Sequence, residues 1–338
     1  MNRAPTTIQR PLRVGFLGVG EIAQQHAAVV QALGHQVYAG ACRTGSSQRW
    51  ARFSHIFPEA RLIADGVSLL NDSAIDAVVA CLPWDETPRW LDVLLSAEKP
   101  VLLEKPIALS GSSLARSMEV AGQKIGNKYV GLNRRFYEPV AAMRQRLSQG
   151  GLKSVAVEIP EDVKGFIDTY GPQIVGNTMA FYSCHVLDLV QHLLGALRPV
   201  RVYSYRSDYG RAGSYYSYTC LLETADALPV TLAINDNHSA NMAIHFRFND
   251  GTHWVLSPIE VLAVYDGFNI ESVQGTQIKR FRPKEIRRVE ADASYKPGFY
   301  SQMRAFLDGG IAPVASIEEN MTLLRLVESI RESSIGRT

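Results

Sequence analysis

Lys105 has the setting that most suggests chemistry. It follows Glu104 and precedes Pro106, just past the apolar run Val101-Leu102-Leu103. Such a short apolar run reads as a strand buried in a parallel sheet, and open α/β sheets bind ligands outside the carboxyl ends of their strands. A lysine there, its backbone fixed by a proline, is placed to act on a bound substrate. For so short a motif the ordinary alternative is a solvated lysine in a tight turn, so its surroundings decide.

Those surroundings begin at Leu12-Arg13-Val14-Gly15-Phe16-Leu17, a strand-like run that leads straight into Gly18-Val19-Gly20-Glu21-Ile22-Ala23. This is the GxGxxA form of a dinucleotide fingerprint. Gly18 permits the tight turn, Gly20 lets the backbone approach a pyrophosphate, and Ala23 keeps the helix close to the strand. The helix start presents free N–H groups to an anion, which makes Gly18, Gly20, Glu21 and Ile22 candidate cofactor residues. An amphipathic helix through Leu33 completes the context that this motif requires.

The second strand ends in Ala41-Cys42-Arg43-Thr44-Gly45-Ser46-Ser47, with no Asp or Glu to bind a ribose 2′-hydroxyl. Arg43 can instead pair with a 2′-phosphate or stack on adenine, and the hydroxyls of Thr44, Ser46 and Ser47 can donate to the phosphate. NADP is the expected cofactor, with NAD possible.

The elements that must position these residues follow from the texture of the chain. Its 338 residues suffice for two domains of roughly 100 to 200 residues each. Apolar runs alternate with helical stretches up to Leu132, including Gln36 to Ala41, Ala74 to Ala80 and Tyr129 to Leu132, as expected for βαβ units. Residues 1–132 therefore read as a Rossmann dinucleotide-binding domain. Residues 133–338 read as a second domain. Segments such as Ser154 to Ile159, Tyr215 to Glu223, Val230 to Asn235 and Ala243 to Phe248 alternate apolar with polar, as in a large, mainly antiparallel sheet. Asp250-Gly251 signals a hairpin turn. The fold class is α/β.

Hydrophobic residues make up 46% and charged residues 20%, near globular averages that suggest neither disorder nor a membrane span. The net charge of +2 and the lack of a basic stripe argue against nucleic acid as a partner. Cys42, Cys81, Cys184 and Cys220 form no CxxC pair, so neither a disulfide framework nor a metal site is expected. Without an apolar leader in Met1 to Arg10, a cytoplasmic protein is expected.

These motifs, in this order and spacing, resemble the family of glucose-fructose oxidoreductase, inositol dehydrogenase and the MocA proteins. The resemblance rests on Gly18 to Ala23 with His26 beyond it, Val101 to Pro106, Gly131-Leu132-Asn133-Arg134-Arg135-Phe136, and His185-Val186-Leu187-Asp188 followed by Leu193-Leu194-Gly195. It implies NAD(P)-dependent hydride transfer on sugars, nucleotide sugars or polyols, residues 133–338 as a substrate-binding and oligomerisation domain, and a homodimer or homotetramer formed through the C-terminal sheet. It also implies that Glu104 and Lys105 lie beside the nicotinamide and that the loop Cys81-Leu82-Pro83 lines the cofactor's ribose. Lys105 would contact the reacting oxygen, with His185 as its acid/base partner. A cationic lysine beside an imidazole can stabilise an alkoxide and supply its proton near neutral pH. Arg135 and Tyr182 join Lys105 and His185 as candidate substrate residues; Lys164, Asn177, His238 and Tyr295 are further residues that the sequence alone does not place.

The chain departs from the family pattern in two places. Phe181 stands four residues before His185 where the family commonly has an aspartate, with Ser183 in place of a glycine, and Thr87 stands where many relatives carry a histidine. Three other readings stand beside the oxidoreductase: a non-catalytic sensor of a dinucleotide or sugar, which the missing aspartate favours, an enzyme that retains NAD while cleaving glycosidic bonds, and a related reductase that acts on a non-sugar carbonyl or imine.

Overall fold

The structure, a computed structural model, describes residues 10–43, 47–236 and 239–337. The chain divides into two compact units. The first holds the residues up to Ile107, Ala115–Gly131 and Phe299–Ile317; the second holds Ala108–Leu114, Leu132–Gly298 and the residues from Glu318 onward.

The first unit is built on a seven-stranded sheet. In chain order its elements are β1 (Arg13–Leu17), α1 (Glu21–Ala32), β2 (Gln36–Ala41), α2 (Gln48–Ile56), β3 (Arg61–Ile63), α3 (Gly66–Asn71), β4 (Ala77–Ala80), α4 (Thr87–Ser96), β5 (Val101–Leu103), α5 (Gly111–Ala121) and β6 (Lys128–Val130). The strand order is β3-β2-β1-β4-β5-β6, all parallel, which is the doubly wound dinucleotide-binding arrangement. Every residue of β4 and β5 is buried, as expected for central parallel strands covered on both faces. Helix α1 buries Ala23, His26, Ala27 and Val30, which share one face at helical spacing.

The second unit is a nine-stranded sheet. Its elements are α6 (Glu138–Leu147), β7 (Leu152–Glu161), α7 (Val163–Tyr170), α8 (Cys184–Leu194), β8 (Leu197–Asp208), β9 (Ser214–Thr224), β10 (Pro229–Asp236), β11 (Ala243–Phe248), β12 (His253–Leu256), β13 (Val261–Ser272) and β14 (Lys279–Glu290). Then follow α9 (Phe299–Leu307), β15 (Ala315–Ser316), α10 (Ile317–Glu332) and β16 (Ser334–Arg337). Of these, α9 and β15 belong to the first unit: β15 pairs antiparallel with β6, while Phe299, Met303 and Phe306 of α9 enter the core formed by β1 and α1. In the large sheet, ordered β14-β13-β12-β11-β7-β10-β9-β8-β16, only β7 with β10 and β8 with β16 run parallel. The sheet is thus mainly antiparallel, as the alternating pattern predicts. One face packs on helices: Val155, Val157 and Ile159 of β7 share a core with Val186 and Leu189 of α8 and with Leu323, Val327 and Ile330 of α10.

The turn between β11 and β12 is the hairpin that Asp250-Gly251 signals. Phe248 N–H donates to the Thr252 carbonyl, Asp250 accepts from Thr252, and Gly251 takes a φ of +86°. The β13–β14 pair, by contrast, has no clear sequence signal. Beyond Tyr265 it runs as an exposed ribbon with Phe268, Ile270 and Phe281 on its surface. Lys279, Arg280, Arg282, Lys284, Arg287 and Arg288 make β14 the most basic element, which corrects the expectation that basic residues are not clustered. Glutamates are interleaved with them: Arg288 pairs with Glu285 at 2.8 Å and Arg282 with Glu271 at 3.5 Å. None of the four cysteines forms a disulfide. Among the described residues no helix is long and apolar enough to cross a membrane, and no group of three or more His, Cys, Asp or Glu is placed to hold a metal.

Candidate functional site

In the first unit, three strand ends meet at the glycine turn. Gly18 leaves β1 with a φ of +87°, and its N–H donates to the Ala41 carbonyl at the end of β2. A Cβ at this position would lie 2.2 Å from the carbonyl oxygen of Cys81, just past β4. Only glycine fits, because the φ is left-handed and the obstruction is backbone. Gly20 has a different reason: among the described residues, nothing beyond its own stretch of chain lies within 4 Å of a Cβ built on it. The protein leaves open the space that a pyrophosphate would fill. No side chain caps α1 at Gly20, so the first-turn N–H groups face that space with the positive end of the helix dipole. These residues fit a dinucleotide.

Around this cradle, Glu21 is exposed and Ile22 half-buried. Leu82 is half-buried in the loop after β4, where the Pro83 carbonyl accepts the Thr87 hydroxyl at 3.1 Å. Thr87 is thereby committed to holding this loop. Arg43 projects from the end of β2 and pairs with Glu86 at 3.1 Å. Thr44 and Ser46 lie outside the described residues. Ser47 caps α2, its Oγ accepting from the Trp50 N–H.

At the end of β5, Glu104 N–H donates to the Ala80 carbonyl, and the Glu104 carboxylate accepts from His26 Nε2 at 2.7 Å. The imidazole is fully buried and stacked on Phe299, with ring centroids 4.2 Å apart. Glu104 is therefore fixed from α1, and Lys105 follows it through a cis peptide to Pro106, half-buried at the C-terminal edge of the sheet.

In the second unit, α8 carries the HxxD pattern. His185 and Tyr182 are half-buried, whereas Phe181, Ser183, Val186 and Asp188 are buried. Asp188, one turn beyond His185, faces inward and receives Arg135 through both oxygens, at 2.9 Å and 2.5 Å. A third nitrogen of Arg135 donates to Glu319 at 2.8 Å. Burial pushes the Asp188 carboxyl up while Arg135 pulls it down; the paired short bonds are those of an ionised carboxylate and a guanidinium. Expected as a substrate contact, Arg135 is instead buried between two carboxylates and ties the segment Asn133–Phe136 to α8 and α10. Lys164 pairs with Asp168 on α7, and Asn177 donates to the Gln173 carbonyl. Tyr295 is exposed, and His238 lies outside the described residues.

Phe181, which stands where the resemblance leads one to expect an aspartate, packs its ring against Phe166 and Tyr170. It belongs to a π-helical turn, Met179–Ser183, that feeds α8. A buried carboxylate on another element holds this turn. Glu161, at the end of β7 and fully buried, accepts the Ser183 hydroxyl at 2.5 Å, the Tyr215 hydroxyl at 2.8 Å and the Thr178 hydroxyl. Burial pushes its carboxyl up, with the three hydroxyls pulling the other way. Thr178 and Ser183 flank the π-helical turn, so Glu161 fastens both ends of it. Sequence reasoning overlooked Glu161, although it stands two residues after Ile159 on the inward face of an alternating strand, where a carboxylate is out of place.

Comparison with known proteins matches this architecture. Residues 12–130 match the model of the glucose-fructose oxidoreductase, inositol dehydrogenase and MocA family, described as an oxidoreductase family with an NAD-binding Rossmann fold. The chain is 29% identical over 145 residues to an inositol 2-dehydrogenase of Acidothermus cellulolyticus, covering 42% of each. It is 27% identical over 224 residues to an inositol 2-dehydrogenase of Rhizobium meliloti, covering 63% of this chain and 66% of the relative. The match therefore spans less than two thirds of these relatives' length. Among solved structures, a UDP-N-acetylglucosamine 3-dehydrogenase from Acidithiobacillus ferrooxidans superimposes with a TM-score of 0.73 at 18% identity, over 96% of this chain and 98% of that one. A 3-ketoreductase from Actinomadura kijaniata, solved with NADP and TDP-benzene, does so with a TM-score of 0.70 at 20% identity, over 97% and 99%. Likeness at that identity is likeness of fold. The glycine cradle, the Glu104-Lys105-Pro106 turn and the matched segment agree: residues 12–130 are similar to the NAD-binding Rossmann domain of the glucose-fructose oxidoreductase, inositol dehydrogenase and MocA family.

Proposed function

We propose that this protein is an NADP-preferring oxidoreductase that moves a hydride to or from a carbohydrate-like alcohol or ketone: a sugar, a polyol or a nucleotide sugar. The observation that carries this reading is the pairing, on one sheet, of a glycine cradle open at Gly20 with a lysine at the carboxyl edge of β5. The relatives support the substrate class, since they include two inositol 2-dehydrogenases.

When bound, the nicotinamide ring supplies or accepts the hydride. Gly18, Gly20, Glu21 and Ile22 hold the pyrophosphate, Arg43 favours a 2′-phosphate, and Leu82 and Pro83 line the ribose. Lys105 stabilises the negative charge that develops on the reacting oxygen. His185 gives or takes the proton of that oxygen, and Tyr182 contacts substrate. Arg135 acts at one remove, by fixing Asp188 and with it the helix that carries His185. Tyr203, Tyr205 and Leu221, exposed on the open face of β8 and β9, support assembly as a homodimer or homotetramer through that sheet. Four cysteines without a disulfide suit a reducing compartment, the cytoplasm.

The test is the change in reduced-nicotinamide absorbance with NADP(H) and NAD(H), across a panel of sugars, polyols and nucleotide sugars. Lys105→Ala should lower turnover by about a hundredfold or more while leaving nucleotide affinity nearly intact. Undiminished turnover in that variant would remove Lys105 from the mechanism. Nucleotide binding without turnover on any substrate would favour a sensor, a reading that the aromatic packing of Phe181 in place of a carboxylate supports.

A further inference from the structure

Two arginines converge on one oxygen at the mouth of the glycine cradle. Glu86 Oε1 accepts Arg43 Nη2 at 3.1 Å and Arg89 Nη1 at 3.3 Å. Arg43 leaves the end of β2, while Glu86 and Arg89 stand at the start of α4, after β4. These strands flank β1, so the cluster joins the two loops on either side of the turn at Gly18. The arginine side chains are 82% and 76% exposed and that of Glu86 is 24% exposed, which leaves both guanidinium groups open to an incoming ligand. Ion pairs this exposed are weak and easily exchanged.

We propose that Arg43 and Arg89 together form the seat of the NADP 2′-phosphate, and that Glu86 holds this seat until the phosphate displaces it. This rests on the NADP reading above and adds two residues to it. A carboxylate oxygen already marks the point that both guanidinium groups can reach. A phosphate monoester brings about two negative charges and three acceptor oxygens to that point, and each arginine can engage it as a planar fork. Glu86 aligns the two arginines in the empty site and repels the phosphate in the filled one, so its charge sets how strongly NADP is preferred. The ribose of NAD, which has only a hydroxyl there, makes no comparable demand on Arg89.

The experiment titrates NADPH and NADH against the full chain by nicotinamide fluorescence, comparing the unsubstituted protein with Arg89→Ala, Arg43→Ala and Glu86→Gln. Arg89→Ala should raise the Kd for NADPH about tenfold and that for NADH about twofold or less. Glu86→Gln should tighten NADPH about threefold, with an unchanged melting temperature showing that the fold is intact. If Arg43→Ala lowers the preference for NADPH while Arg89→Ala leaves it unchanged, the paired seat is wrong and the NADP reading stands on Arg43 alone. If the unsubstituted protein binds neither nucleotide, both readings fall.

Discussion

Glu161→Gln tests whether the buried carboxyl holds its proton in the folded protein. The side chain is fully buried, and burial outweighs the three hydroxyls that favour its ionised form, so its pKa in the fold lies above the ordinary 4.5. Below that value both folded and unfolded chains carry the proton, and the contribution of Glu161 to stability is complete. As pH rises past 4.5 the unfolded chain releases the proton while the folded chain keeps it. Stability then falls by about 1.4 kcal/mol per pH unit, until the folded carboxyl ionises in turn. Glutamine has nearly the same shape and nothing to titrate. The wild type's unfolding free energy minus that of Glu161→Gln should therefore decline with pH above 4.5, and the other titrating groups should cancel in the difference. Urea unfolding followed by circular dichroism, at half-unit steps from pH 4.5 to 8, measures this. A difference that stayed flat, or rose with pH, would show a carboxylate ionised in the fold and refute the reasoning.

The two glycines of the cradle should separate fold from binding. Gly18→Ala forces a Cβ against the Cys81 carbonyl at a left-handed φ, so thermal stability and nucleotide affinity should fall together. Gly20→Ala meets nothing among the described residues beyond its own stretch of chain, so the melting temperature should hold while NADPH affinity drops by about tenfold or more; calorimetry distinguishes the two. For Asp188→Ala, which leaves Arg135 buried with only Glu319 as a carboxylate partner, the expected loss is about 3 kcal/mol of unfolding free energy. Replacing the pair together, as Arg135→Met with Asp188→Leu, should recover most of it in urea titrations. A cost for Asp188→Ala below about 1 kcal/mol would mean that the pair does not hold the helix.

Local motifs were legible because each depends on a few neighbouring residues. The turn at Gly18 and Gly20, the buried strand before Lys105 and the Asp250-Gly251 hairpin all need only backbone geometry and adjacent side chains. What pairs across distance was not. Arg135 and Asp188 are 53 positions apart, and nothing in either segment says that the arginine turns inward. Glu161 meets Ser183 and Tyr215 only once β7, the π-helical turn and β9 are assembled. The β13–β14 ribbon escaped because exposure on both faces removes the alternation that marks a strand. Pro283 and the lysines of β14 suit an edge strand protected from further pairing.

The return of α9 to the first unit bears on how this chain can be made and cut. The nucleotide-binding half is not a detachable cassette. Phe299, Met303 and Phe306 are essentially fully buried beside β1 and α1, and burying each such side chain is worth about 1.5 to 3 kcal/mol. A fragment ending near Gly131 would expose that apolar patch and leave the sheet edge at β6 without its β15 partner. During synthesis the first sheet is finished only after nearly the whole chain has left the ribosome. Exchanging this domain between relatives therefore requires splicing at Phe299–Ile317 as well as near the inter-unit joint.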